Sequence, residues 1–309
     1  MGGSGGGSNY ADRRPAEELR QETQRDIQSA ELLANANSFL NEQLVEINDR
    51  DVETINARLD DIEGAISEVV EDIDRLVFGG SVSKHTYVDG LSDVDSLVLL
   101  NATEGMPTES PQQFREAFAQ IIRNAALPGV ADVYVGNLAV TLSYSDGTEI
   151  QLLPALRTAP DGDLRISSSN GERWRSIHPR RFAEQLTALN QRNGNRLVPT
   201  IKLAKAIVAT LPEGRRPSGY HMEALAVEAF SSYSGPLNYT SMLQHFFSTA
   251  ATRVLTPITD RTGQSSQVDE SLGSANSPER ARVADDLNRI ARRMKNSTNV
   301  GQWRDLLDE

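Results

Sequence analysis

The spacing of apolar residues changes twice along this 309-residue chain, and that constrains the fold more than anything else in it. From Pro15 to Val77 the period is helical. Ile55, Leu59, Ile62, Ile66, Val69, Ile73 and Leu76 alternate steps of four and three and put one apolar stripe on a helix. An earlier helix carries Ile27, Leu33, Leu40, Leu44 and Ile47, with Asp51 as an N-cap between the two. Such stripes cover a core or pair as a helical hairpin, with a dimer interface as the second reading. The texture then turns to strands at Ser96–Leu100, Ala131–Val135, Leu138–Ser145 and Thr148–Leu153, around one helix over Pro111–Ala126. Asp146-Gly147 reads as a two-residue turn joining the last two strands in a hairpin. Strands are confined to this middle third. From His178 the helical period returns over Pro179–Asn190, Val198–Leu211, His221–Phe230, Tyr239–Val254 and Pro278–Met294, and the Gly/Ser/Thr-rich stretch Asp260–Asn276 reads as a mobile loop. The expectation is an α+β fold, with a small mixed sheet and flanking helices packed on a C-terminal helical domain and long helices at the N-terminus.

Composition narrows the function classes. Apolar residues make up 38% and charged residues 24%, and no window has the eighteen or so consecutive apolar residues of a membrane span. With no cysteine, disulfides and thiolate metal sites are excluded, and a reducing cytoplasmic location is permitted. The formal charge of −12 repels a nucleic-acid backbone, which argues against a long template but allows small anionic ligands held by a metal. Gly2–Ser8 reads as a flexible linker of the kind added for expression, with no signal-peptide pattern. Four segments follow: 1–8 a linker, 9–77 an N-terminal helical segment packing on the core, 78–175 a core carrying the chemistry, and 176–309 a helical domain that binds substrate.

The chemistry concentrates in FGGSVSKHTYVDGLSDVDSLVLL, residues 78–100. If Asp93-Val94-Asp95 opens a strand, both carboxylates fall on one face, because side chains alternate with period two. Two adjacent anions repel, and a divalent cation relieves the repulsion. Carboxylate oxygens suit Mg²⁺ or Mn²⁺, which also take phosphate oxygens and water. The Gly79-Gly80-Ser81 turn offers backbone N–H groups and a hydroxyl to phosphate beside that metal. Together these describe a metal-dependent phosphoryl or nucleotidyl transfer site.

The run Gly80, Ser81, Lys84, Thr86, Ser92, Asp93, Asp95 resembles the signature of the DNA polymerase beta-type nucleotidyltransferase superfamily. More narrowly it is similar to the bacterial relatives of cyclic GMP-AMP synthase and oligoadenylate synthase, the CD-NTase-like enzymes of anti-phage defence. IQLLPA (150–155) resembles their third catalytic strand, IKLAKAI (201–207) their helix with a triphosphate-binding lysine, and SGYHMEALAVEAF (218–230) the helical block that follows. The resemblance implies a polymerase beta-like core and two Mg²⁺ or Mn²⁺ ions held by Asp93 and Asp95. Gly80, Ser81 and Lys84 fall in its donor-triphosphate turn, and Lys205, or alternatively Lys202, would neutralise the β- and γ-phosphates with Ser218 as a weaker candidate. It implies nucleoside triphosphate substrates, ATP or dATP among the candidates, a cyclic or linear oligonucleotide product and a downstream effector protein, with no membrane partner. Tyr220 or Tyr233 would stack on a base or serve the core. His85 falls in the loop between the phosphate turn and the metal strand, His221 reads as structural, and Trp174 and Trp303 as anchors of helices to the core.

One position departs from the pattern. The family has a third carboxylate on a neighbouring strand, which ligates the catalytic metal and accepts the proton of the attacking hydroxyl. This chain has Gln151 there, a match in shape with no charge and no basicity. Glu149 lies two residues earlier on the same face, roughly 6 to 7 Å along the strand, which is too far to substitute. Either Gln151 stands in place of a natural glutamate, as an isostere that traps bound nucleotide, or the chain binds nucleotide without turning it over. Two alternatives to an oligonucleotide synthase follow: nucleotide transfer onto a protein hydroxyl, and a nucleotide-binding regulatory pseudoenzyme.

Overall fold

The computed structural model describes residues 16–48, 52–67, 73–77, 94–101, 108–157, 164–168, 170–177, 179–260 and 267–308. Two helices come first, α1 (Ala16–Asn48) and α2 (Val52–Ser67). Strands β1 (Ile73–Val77) and β2 (Val94–Asn101) precede α3 (Pro111–Ala125). Then come β3 (Val130–Val135), β4 (Val140–Tyr144), β5 (Glu149–Arg157), β6 (Leu164–Ser167) and β7 (Trp174–Ile177). The remainder is helical: α4 (Pro179–Arg192), α5 (Leu197–Ala209), α6 (Gly219–Phe230), α7 (Tyr239–Arg253), α8 (Pro278–Lys295) and the short α9 (Gly301–Arg304).

The seven described strands form one mixed sheet in the order β1-β2-β5-β4-β3, with β6 on β5 and β7 on β6. Among them only β2 and β5 run parallel. Alternation along β5 buries Ile150, Leu152 and Leu156 in a core with Val98 and Leu100 of β2, Val140 and Leu142 of β4, and the apolar faces of α2 and α3. Phe114, Phe118, Ala119 and Ile122 form the α3 stripe, and Ser110 caps that helix by accepting the Gln113 N–H. Ile55, Leu59, Ile62 and Ile66 of α2 are all buried there, as their spacing requires. Arg58 of α2 also grips the β4–β5 hairpin, its guanidinium 3.9 Å over the Tyr144 ring and 2.6 Å from Asp146. A second, larger core joins α4 to α9 with Ala36, Phe39, Leu40 and Leu44 of α1.

Several expectations need correction. Ile73 and Leu76 do not continue the α2 stripe; they lie in β1, which pairs antiparallel with β2. Steps of three and four over so short a run do not distinguish a helix from a strand, and the ladder to β2 decided the matter. Val69 and the expected cap Asp51 lie outside the described residues. The N-terminal helices are not a hairpin closed on itself: Leu40 and Leu44 of α1 go to the helical core and the α2 stripe to the core beneath the sheet, while Ile27 and Leu33 of the expected α1 stripe are exposed. Strands extend beyond the middle third to β1, and within that third β6 and β7 add two that the sequence does not mark, each only four residues long and too polar to show a period. Trp174 accordingly sits on a strand, edge-on to Phe114 at 5.3 Å with its indole N–H donating to the Thr108 carbonyl, whereas Trp303 is buried in the helical core.

The β4–β5 turn has three residues between Tyr144 and Thr148, whose backbones bond at 2.8 Å, and Gly147 takes φ 87°, a left-handed value that glycine adopts without strain. The described part of the 260–276 stretch is pinned: Thr259 bridges Gln267, and Asp260 and Asp269 are both buried. Among the described residues no helix is long and apolar enough to cross a membrane.

Leu40 is fully buried where α1 enters the helical core. Leu40→Ala is expected to cost about 2–5 kcal/mol of unfolding free energy, measured by urea denaturation followed by circular dichroism.

Candidate functional site

The parallel ladder places Asp95 of β2 in register with Gln151 of β5, and the antiparallel ladder on the other side of β5 places Thr141 opposite the same glutamine. Both parallel strands enter the sheet at this edge. Alternation puts position 95 on the face of Leu97 and Leu99, and position 151 on the face of Leu153 and Ala155. Leu97, Leu99, Ala155 and Ile166 form a small apolar cluster on that face, so the two site positions stand at the rim of a dry floor. Gln151 is half-buried there. Glu149 is exposed and accepts the Ser143 hydroxyl at 3.0 Å. Of Asp95 the strand position is described; Asp93, Gly80, Ser81 and Lys84, with Thr86, Ser92 and His85, lie outside the described residues. Among the described residues no cluster of three or more His, Asp or Glu forms a metal cage.

The helical lobe holds the other candidates. Lys205 of α5 is buried, and its ammonium lies 2.9 Å from the carboxylate of Glu223 on α6, with both side chains almost wholly out of solvent. A buried ion pair of this kind sets lysine charge against carboxylate charge inside the core. Lys202, one turn earlier, is half-buried and donates to the Asn48 side-chain oxygen at 2.5 Å, at the end of α1. Ser218 is the N-cap of α6, its hydroxyl accepting the His221 backbone N–H at 3.2 Å. The Tyr220 hydroxyl donates to Asp260 at 2.7 Å and its ring meets Phe182 edge-on at 5.1 Å. Tyr233 donates to the Pro236 carbonyl and packs against Phe230 and His245. Both tyrosines are thus built into the helical lobe.

Sequence reading missed Glu223 and Asn48. The first leaves a trace, because a carboxylate among buried Met222, Ala224 and Leu225 needs a cation within reach. Asn48 leaves none, being an exposed residue 154 positions from its partner.

Next to Ser218 lies a buried charge network. Arg280 of α8 is fully buried and donates to Asp269 and to the carbonyls of Val254 and Gly273. Asp269 also accepts the Ile258 N–H at 3.1 Å. Burial pushes the Asp269 carboxyl up, but the Arg280 and Ile258 bonds and the nearby positive charges more than offset this and hold it below its ordinary value. His221 is buried with Nε2 3.5 Å from that carboxylate, and burial, only partly opposed by Asp269, pushes its pKa down to about 4. The network ties the segment after α7 to the first turn of α6, and His221 acts within it as a structural residue.

No protein-family model and no curated protein matches this chain. Solved structures do. The chain superposes on a structure of Escherichia coli MS115-1 CdnC with ATP at a TM-score of 0.66 and 16% identity, covering 89% of this chain and 97% of that one. Bradyrhizobium diazoefficiens CdnG, a CD-NTase in complex with GTP, gives 0.61 at 15% identity over 88% and 95% of the two chains. Vibrio cholerae DncV, a cyclic AMP-GMP synthase in complex with a linear intermediate, gives 0.56 at 12% identity over 91% and 86%. The chain therefore has the fold of the CD-NTases, the α+β nucleotidyltransferase architecture with its long N-terminal helix.

His221 titrates near pH 4 when folded and near 6.5 when unfolded, so the unfolded chain binds more protons between these values and stability falls as pH drops through that window. Between pH 7.5 and 5 the wild type is expected to lose about 2 kcal/mol more unfolding free energy than a His221→Phe variant, measured by urea denaturation at each pH.

Proposed function

We propose that this protein is a Mg²⁺- or Mn²⁺-dependent, template-independent nucleotidyltransferase that makes a cyclic or linear oligonucleotide signal from nucleoside triphosphates. The observation that carries the reading is the register of Asp95 with Gln151 at the common entry edge of the parallel strands β2 and β5, within a fold shared with CdnC, CdnG and DncV. Those structures contain ATP, GTP and a linear dinucleotide intermediate, respectively. The charge of −12 agrees with small triphosphates as substrates and disfavours a long template. The signal would act in anti-phage defence in the cytoplasm, through a downstream effector protein.

The donor types fit a hard divalent cation, since Asp93 and Asp95 supply carboxylate oxygens and Gln151 a neutral amide oxygen on the adjoining strand. Two such ions, held by Asp93 and Asp95, would supply charge stabilisation of the attacking and leaving oxygens. In this reading the Gly80-Ser81 turn and Lys84 hold the donor triphosphate. Lys202 is the leading α5 contact to its β- and γ-phosphates, because Lys205 is buried against Glu223. Ser218 combines its cap with a place beside that anion. A 3′- or 2′-hydroxyl attacks the α-phosphorus in line, the new P–O bond forms, and the bond to pyrophosphate breaks. Gln151 cannot accept the hydroxyl proton, so this chain turns over slowly.

Gln151→Glu restores both the charge and the base. Incorporation from labelled nucleotides in Mg²⁺ or Mn²⁺ is expected to rise by about 10²–10⁴-fold, with phosphatase-resistant label marking a cyclic product. Triphosphate binding with no pyrophosphate release from either form would support the regulatory pseudoenzyme instead, and label migrating with a protein band would support transfer onto a protein hydroxyl.

A further inference from the structure

The ladders of the sheet carry the site row beyond Gln151. Thr141 of β4 pairs with Gln151, and Tyr134 of β3 pairs with Thr141, so positions 95, 151, 141 and 134 form one row across four strands. The row lies on the face turned away from α2 and α3, since its neighbours Val133, Val140, Leu142, Ile150 and Leu152 are the ones committed to that core. From this register we infer that Tyr134 is the platform on which the base of the acceptor nucleotide stacks, the acceptor being the nucleotide whose hydroxyl attacks. The inference rests on the nucleotidyltransferase reading above.

In that reading the attacking hydroxyl belongs beside Gln151, and the donor with its metal ions belongs toward Asp95. Further along β5 the face is closed, because Leu97, Leu99, Ala155 and Ile166 are buried together there. The open direction runs across the sheet, over the half-buried Thr141 to Tyr134, which is 56% exposed. Two strand spacings, about 10 Å, separate positions 151 and 134, a span that a nucleoside and a tyrosine side chain bridge together. Among the described residues no other ring packs on Tyr134, so its faces are open to a base. Charge decides which part of a nucleotide lies there. The phenol donates to Asp132, and this bond, the Asp132 charge and the more distant Glu149 raise its pKa. Those two carboxylates repel a phosphate and leave a neutral base unopposed. The support is also fixed. Asp132 accepts the Val133 N–H at 2.7 Å and Arg123 donates to the Val133 carbonyl at 2.8 Å, which closes the outer rim of β3 to a further strand.

The test titrates the full chain with ATP, GTP, CTP and UTP in Mg²⁺ by calorimetry, with inorganic tripolyphosphate as a probe that has no base. The wild type is expected to bind two nucleotides, a donor and an acceptor. Tyr134→Leu, which keeps apolar bulk on the strand but removes the ring, is expected to weaken one of the two about ten-fold and leave the other within about two-fold. Tyr134→Trp is expected to bind both within about two-fold of the wild type, and tripolyphosphate to bind the wild type and Tyr134→Leu alike. Unchanged nucleotide affinities in Tyr134→Leu would overturn the inference. So would a loss as large in Tyr134→Trp as in Tyr134→Leu, or a loss that tripolyphosphate shares, either of which would make Tyr134 a packing residue. A wild type that binds one nucleotide only would overturn it too, while leaving the nucleotidyltransferase reading to the Gln151→Glu assay. A wild type that binds none of the four triphosphates would end both.

Discussion

The parallel pairing of β2 with β5 is the constraint on which the rest of this molecule depends. Parallel strands cannot be joined by a tight turn, so the chain must leave β2 at one end of the sheet and return to the other, and here it does so through α3, β3 and β4. That excursion brings two strands into the sheet from the same edge, side by side. Residues far apart in sequence, Asp95 and Gln151, become register partners because of it. Val98 and Leu100 of β2 and Ile150 and Leu152 of β5 are committed to the core with α2 and α3, so a slip of one residue would exchange the two faces of the strands. The hydrophobic pattern that holds the sheet together is thus the same pattern that aligns the candidate site.

The two cores are divided in a way that gives the N-terminal helices distinct tasks. α2 closes the core under the sheet and clasps the hairpin that leads into β5. The second half of α1 completes the helical lobe and ends on Asn48, against Lys202. Within that lobe, charges sit where water does not reach. Lys205 with Glu223, and Arg280 with Asp269, are costly to bury singly, and each is tolerated because its partner meets it, Arg280 also donating to the carbonyls of Val254 and Gly273. The first pair ties α5 to α6 and the second ties α8 to the segment after α7, more narrowly than apolar contact alone would.

Much of this was legible in the residues themselves. The helices α3 to α8 lie within a few residues of where the apolar period put them, because that signal is local to a few turns, whereas the short α9 carried no period to read. The alternation in β5 likewise marked Gln151 as lying on the face away from the buried Ile150 and Leu152. The Asp-x-Asp run raised the expectation of phosphate and metal chemistry that the proposed function carries, since residue type limits what a site can hold. The tertiary structure decided what depends on partners. It made a strand of Ile73–Val77, where β2 offered a free edge, and it pinned the loop after α7 by two buried aspartates. It also sorted the two α5 lysines, turning Lys205 into the core toward Glu223 and leaving Lys202 beside Asn48. Hydrogen-bond and ion-pair partners are chosen by three-dimensional proximity over separations of up to 203 residues, and no period along the chain encodes that proximity.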